Sequence, residues 1–361
     1  MFYVLPMIFL SLFSVRERQR IDKYIFLFLV LILTVFIGLR FEVGSDWTNY
    51  FIHTILEKEK TFAELSSKFK EPAYALFLWI TNITNTGIFG LNVLNAIVFS
   101  IGLVFFCSNL KYPFLGILIS YPYLVIVVGM NYVNQSAAIG VELIALTFYL
   151  KGNYKLYFAF LAACILFHAS AVFLLTIPLV ERVVNFRNKK AFISMIFILI
   201  FSYFVVSFFF LDFFQKTYTY YFTKNYNAGG FIVKGGILFS YALVFFMNQL
   251  KMPFTNIERS LLNTLSINVF GLIFLSFFTI LSQSSAVIYR LSLYLYPVQI
   301  ILSDRFVENK LFNIPRQSWR LFFVGFYFLT LIVWLGFSSH SSDWLPYKNF
   351  FFLGIKDKLT Y

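Results

Sequence analysis

Arg40, Gly44 and Asp46 fall within one short polar stretch, Gly38-Leu-Arg-Phe-Glu-Val-Gly-Ser-Asp-Trp-Thr-Asn-Tyr50, directly after an apolar run. Arg40 offers a planar fork of donors suited to a phosphate or pyrophosphate. Gly44 permits a tight turn, and Asp46 is placed to orient Arg40 or to take a proton from a hydroxyl. The bland alternative is an arginine snorkelling from a membrane edge beside a solvated carboxylate.

Further polar groups interrupt apolar sequence. His168 lies deep in one run, within Leu166-Phe-His-Ala-Ser-Ala171. It is a second candidate base, set against hydrogen-bonded packing. Arg290 is the lone charge between Arg259 and Asp304, with Tyr289, Tyr294 and Tyr296 around it. It either snorkels or holds an anion. Asn131, Asn134 and Gln135 make an uncharged polar turn, and Glu142 follows as a buried carboxyl whose bland role is an interhelical hydrogen bond. Trp344-Leu-Pro-Tyr-Lys348 is an aromatic and basic turn, which serves either as an interface anchor or as a binding element. No second histidine or carboxylate stands at ligand spacing from His168, so neither a metal nor a cofactor is expected. Cys107 and Cys164 both sit in apolar runs and suggest no disulfide framework.

These residues must be positioned by helices in a bilayer. Of 361 residues, 60% are hydrophobic and only 12% charged. A soluble domain carries about 25% charge, so an ordinary soluble enzyme, a disordered chain and a nucleic-acid-binding domain are excluded. The apolar runs are 2–15, 24–39, 73–86, 88–108, 114–128, 133–150, 156–179, 191–211, 236–250, 260–281, 287–303 and 321–337. They read as an all-α polytopic integral membrane protein of about 11–12 helices, with residues 1–361 forming a single transmembrane domain. The first run reads as a retained helix, not a signal peptide.

The net charge of +13 is mostly accounted for by cytoplasmic loops. Arg16, Arg18, Arg20 and Lys23 mark one such loop; Arg182, Arg187, Lys189 and Lys190 a second; Lys310, Arg316 and Arg320 a third. Segments 40–71, 212–235 and 338–361 are then outer-face loops and tail. Thr61–Lys70, with Phe62, Leu65 and Phe69 at helical spacing, reads as an amphipathic stretch on the outer membrane surface. A twelve-crossing count puts Lys151 and Lys155 outside and Asn131–Gln135 inside, against the charge bias. Run 73–86 is short for a span. A re-entrant 73–86 reverses that placement, with parity restored by a break near His168.

The stretch Leu39 to Tyr50 resembles the R-x-x-x-G-[TS]-D-[YW]-x-x-Y signature of EpsG-like proteins, bacterial polymerases of the Wzy type. Glu71-Pro-Ala-Tyr74 is similar to that family's E-P-x-Y, Phe167-His-Ala-Ser-Ala171 to H-x-S-A, Tyr289-Arg-Leu-Ser-Leu-Tyr294 to R-x-x-x-Y, and Trp344-Leu-Pro-Tyr-Lys348 to W-x-P-Y. Asn134 stands where the family often has arginine, so a phosphate contact from that turn does not carry over. The resemblance implies glycosyl transfer at the outer face of the bacterial inner membrane. A glycan on undecaprenyl pyrophosphate is the donor and a lipid-linked repeat unit the acceptor. A chain-length regulator protein is a further partner. The implied catalytic set is Arg40, Asp46, His168 and Arg290, with Gly44, Tyr50, Glu71, Asn131, Gln135, Tyr294, Trp344, Tyr347 and Lys348 in substrate binding. Arg40 and Arg290, with Lys348, would meet the leaving pyrophosphate, and Asp46 is favoured over His168 as base. The rivals are a lipid-linked oligosaccharide flippase or other transporter, an O-antigen ligase and a membrane O-acyltransferase. The absence of an internal repeat and the short loops speak against the first two.

Overall fold

The computed structural model describes residues 1–16, 20–184, 231–250, 252–281 and 285–353. Arg18, Arg187, Lys189, Lys190, the run 191–211, the 212–230 part of the expected outer loop and the 354–361 part of the tail lie outside the described residues. Among the described residues the protein is helical throughout, and the only extended pairing is an isolated bridge between Arg40 and Asn349. Among the described residues, five helices are long and apolar enough to cross a membrane, and shorter apolar helices accompany them.

The described chain falls into two compact units, Met1–Ala169 with Ser303–Tyr361, and Ser170–Leu302. The first unit contains α1 (Val4–Ser14), α2 (Lys23–Gly38), α3 (Trp47–Leu56), α4 (Phe62–Lys68), α5 (Pro72–Thr84) and α6 (Gly87–Ser108). It continues with α7 (Pro113–Asn131), α8 (Val133–Leu150) and α9 (Tyr154–Phe167). The second unit contains α10 (Thr176–Val184), α11 (Phe231–Asn248), α12 (Asn256–Leu281) and α13 (Ser285–Ser292). Then come α14 (Pro297–Glu308), which begins in the second unit and ends in the first, and α15 (Arg316–Phe337) of the first unit.

Local chemistry sets several of these boundaries. Asp22 caps α2 by accepting from the Tyr24 and Ile25 amides. Thr61 and Glu64 form a reciprocal capping box on α4, which satisfies amides that the first helical turn leaves orphaned. Pro72 starts α5 at a position where no amide is needed. The core of the first unit is α7, every residue of which is buried. Its middle, Tyr121–Val128, is π-helical. Pro122 lies there, and a proline can neither donate to the preceding turn nor fit against its carbonyl, so the backbone widens instead of breaking.

Helix α6 packs on α2 and α8. A Cβ on Gly102 would stand 1.9 Å from the Gly140 carbonyl oxygen of α8, so the two backbones touch through small residues. Gly102→Ala is expected to force them apart at a cost of about 1–3 kcal/mol, read as a lower melting temperature in detergent. An unchanged melting temperature would show that this contact is slack.

Side-chain links fix which helix ends lie together. At one end of the first unit, Arg320 of α15 donates to the Arg16 carbonyl (2.6 Å), Asp304 accepts from the Tyr112 amide (2.7 Å), and Lys151 lies over the Phe105 ring (5.4 Å). At the other end, Tyr3 donates to the Trp344 carbonyl, Phe89 meets Phe350, and the loop after α2 pairs with the segment after α15. Helix α5 starts at this second end with Tyr74 beside His53, and α6 starts there too, with Phe89 beside Phe41. Run 73–86 is therefore not a crossing, as the re-entrant reading required. The twelve-crossing count fails at this point. Lys151 falls with Arg16, and Asn131 falls with Arg40. Run 156–179 also breaks: α9 ends at Phe167 and His168 is extended.

The amphipathic stretch at Thr61–Lys70 forms a helix. Its Leu65 is buried in a cluster with Phe41, Trp47, Tyr74 and Leu78, so that residue faces protein. The expected 212–235 loop is already helical from Phe231. Expected run 287–303 is interrupted at Leu293–Leu295 and then extends to Glu308. Glu142 is buried as expected, but neither of its carboxylate oxygens meets a hydrogen-bond partner among the described residues.

Candidate functional site

The loop after α2 is built around Arg40. Its Nε donates to the Val43 carbonyl (3.1 Å) and its Nη1 to the Ile37 carbonyl (2.7 Å), while Nη2 is buried without a hydrogen bond. The residue is 1% exposed. Burial pulls its pKa down to about 10, against the opposing influence of the Tyr50, Tyr347 and Tyr3 hydroxyls. The donor fork expected to face a phosphate thus clamps its own backbone. Gly44 adopts φ +95°, and a Cβ there would stand 2.3 Å from the Met130 carbonyl oxygen. Glycine is needed at this position both for its backbone angle and for the close approach. The Asn131 side-chain oxygen accepts from the Ser45 hydroxyl (3.1 Å) and the Asp46 amide (2.8 Å). Asp46, half-buried, stands at the N-cap of α3. Asn131 therefore docks the glycine loop onto the end of α7.

The segment after α15 closes over this loop. Gly44 donates to the Asp343 carbonyl (2.8 Å), Phe41 to the Lys348 carbonyl (3.0 Å), and Phe350 to the Leu39 carbonyl (2.8 Å). Trp344 is 3% exposed and its indole donates to the Ile126 carbonyl in the π-helical turn (3.1 Å). Tyr347 donates to the Phe36 carbonyl (2.8 Å) and accepts from Asn349 (2.9 Å). Burial pushes its hydroxyl pKa up to about 12. Trp344 and Tyr347 thereby fasten the tail. Lys348 remains at the surface, paired with Glu42 at 2.7 Å. An exposed pair of this kind is worth at most about 1 kcal/mol, so Lys348 is a cation easily recruited by another anion.

A third group completes this end. Tyr50 lies within electrostatic range of Arg40 and packs against Tyr74 and His53. The Tyr74 hydroxyl shares a 2.8 Å hydrogen bond with His53 Nδ1. Burial lowers the His53 pKa. Glu71, one turn before Tyr74, approaches His168 Nδ1 at 3.5 Å. Burial alone would push the Glu71 carboxyl up, but His168 and the Ala169 amide more than offset this and hold it below the usual carboxylate range.

The structure therefore gathers Arg40, Gly44, Asp46, Tyr50, Glu71, Asn131, Gln135, His168, Trp344, Tyr347 and Lys348 at one end of the first unit. Gln135 is buried in the first turn of α8. Arg290 and Tyr294 belong to the second unit. Arg290 is partly exposed on α13, and the Tyr294 hydroxyl lies 3.0 Å from that of Ser170, which joins two of the short motifs. Sequence reasoning missed His53, Tyr74, Asn349 and Lys234. Tyr74 stands inside E-P-x-Y, and Asn349 directly follows the terminal motif, so both carried a local signal. Lys234, which donates to the Tyr289 hydroxyl at 2.8 Å, falls in the expected 212–235 loop, because α11 already begins at Phe231.

A family model described as the EpsG family matches residues 23–349. The chain belongs to the EpsG family. That match takes in the gathered residues from Arg40 to Lys348, and it makes this EpsG-family protein a membrane protein of the polysaccharide-polymerase type. No curated protein and no solved structure matches the chain.

Proposed function

We propose that this EpsG-family protein is a polysaccharide polymerase. It joins undecaprenyl-pyrophosphate-linked oligosaccharide repeat units at the outer face of the bacterial inner membrane, with undecaprenyl pyrophosphate as leaving group. The observation that carries this reading is the convergence of residues from four of the five motifs, with the Asn131–Gln135 turn, on one end of the first unit. The charge distribution supports the orientation. The opposite end carries Arg16, Lys151, Arg316 and Arg320, a lysine and arginine set that suits a cytoplasmic face.

At that end Lys348 is the accessible cation for the pyrophosphate, because preorganised positive charge is most useful where negative charge develops. Arg40 acts through the loop it clamps. Tyr50 offers a partly exposed ring for sugar contact, and Asp46 a carboxylate for sugar hydroxyls. Asp46→Asn is expected to raise the acceptor KM while retaining most of kcat. A kcat loss of about 10²–10⁴-fold with KM unchanged would instead make Asp46 the base.

The test is reconstitution of the purified protein into liposomes with lipid-linked repeat units. A ladder of longer glycans is the expected result. Movement of the units across the bilayer without new linkages would make the protein a flippase and end the polymerase reading.

A further inference from the structure

We propose that Glu71 orients His168 so that the imidazole is the base that takes the proton of the attacking acceptor hydroxyl, an assignment that rests on the polymerase reading. The geometry is that of a carboxylate and imidazole pair drawn from distant stretches. His168 Nδ1 lies 3.5 Å from Glu71 Oε1. That nitrogen is shut off from solvent and, among the described residues, meets no other hydrogen-bond partner, yet the side chain keeps 17% of its exposure. The open edge of the ring therefore lies away from Glu71.

Both residues stand at backbone breaks that free their side chains from helix faces. His168 ends α9 in an extended conformation (φ −154°, ψ 125°), and Glu71 precedes Pro72 in another (φ −100°, ψ 99°). The Glu71 carboxylate also accepts from the Ala169 amide. It is thus tied to the backbone beside the ring it faces, which fixes the ring's position more firmly than the ion-pair contact alone would. The carboxylate side chain keeps 22% of its exposure, so the pair is not sealed in the core.

A carboxylate facing Nδ1 favours the tautomer with its proton there and leaves the Nε2 lone pair free. In the step, the acceptor oxygen forms a bond to the donor's anomeric carbon, and the bond from that carbon to the pyrophosphate oxygen breaks with its electron pair. The hydroxyl proton passes to Nε2 and then to solvent. Glu71 stabilises the imidazolium formed in between. A contact of 3.5 Å tightens as that charge develops, as catalytic hydrogen bonds often do on substrate binding. Glu71 is a positioning residue here, and His168 is the catalytic one.

The experiment uses the full chain in liposomes, supplied with lipid-linked repeat units extracted from membranes of the source strain. Melting temperatures are measured in parallel. His168→Ala is expected to lower kcat by about 10²–10⁴-fold with little change in acceptor KM, and added imidazole should restore part of the rate. Glu71→Gln should lower kcat, and Glu71→Asp should recover part of the loss. Wild-type kcat in Glu71→Gln would overturn the positioning role. Failure of imidazole to rescue His168→Ala, together with a lowered melting temperature, would show His168 to be structural. If the wild-type protein itself builds no polymer, the polymerase reading fails first, and the two failures are told apart by that control.

Discussion

Replacing Arg40 by alanine is expected to abolish polymer formation and to lower the melting temperature in the same protein. The guanidinium is the clamp of the loop that carries Gly44, Ser45 and Asp46, through its bonds to the Ile37 and Val43 carbonyls. Each buried acceptor left without a donor costs about 1–3 kcal/mol. Part of that cost is offset because a charge that burial disfavours is removed at the same time. The loop nevertheless loses its internal support, and a misplacement of about 1 Å at a reacting group can cost 10²-fold in rate. Arg40→Lys should rescue poorly, since one ammonium cannot reproduce a fork held between two carbonyls. Loss of polymer with a wild-type melting temperature would instead place Arg40 in direct contact with the leaving group. Wild-type chain length in Arg40→Ala would remove it from the function altogether.

The second large effect belongs to Trp344. Its ring is buried, packs edge-on against Trp334 with centroids 5.1 Å apart, and donates to the Ile126 carbonyl. Truncating a buried tryptophan to alanine costs about 3–5 kcal/mol. The loss should also release the segment that supplies Asp343 to Gly44 and Lys348 to Phe41. Trp344→Ala is therefore expected to melt early and to expose residues 338–353 to protease, with polymer formation falling alongside. Trp344→Phe keeps most of the apolar contact and should lose about 1 kcal/mol for the hydrogen bond. A Trp344→Ala protein as stable and protease-resistant as wild type would sink the account of the tail as a fastener.

Much of the helical framework was legible from hydropathy, because lipid leaves the backbone little choice but to bond within its own segment. The run 88–108 is α6 almost residue for residue, and 133–150 is α8. The short run 73–86 and the polar interruption at His168 were legible as anomalies, and they are where the chain turns back and where a helix stops. What the sequence could not convey was the target of a side chain. Arg40 presents the same donors to a phosphate and to two peptide carbonyls, so its residue type cannot separate a ligand contact from a clamp. Asn131 read as one member of a polar turn, but its role depends on the amide of Asp46, 85 residues away. Glu71 and His168 each stand in a short motif, yet nothing local to either announces the other. The placement of Lys151 turned on whether run 73–86 crosses, and α5 and α6 start at the same end of the first unit.

The stitching of the Arg40 loop to the segment after α15 has a consequence for biosynthesis. Tyr3 waits for a partner 341 residues later in the chain, and Glu42 for one 306 residues later. At roughly 5–20 residues per second of synthesis, the loop sits in the membrane for tens of seconds or more before Asp343 and Lys348 are translated. During that interval it has helices around it but no cover. The fold of the Arg40 loop is therefore completed only when the late segment returns to meet it.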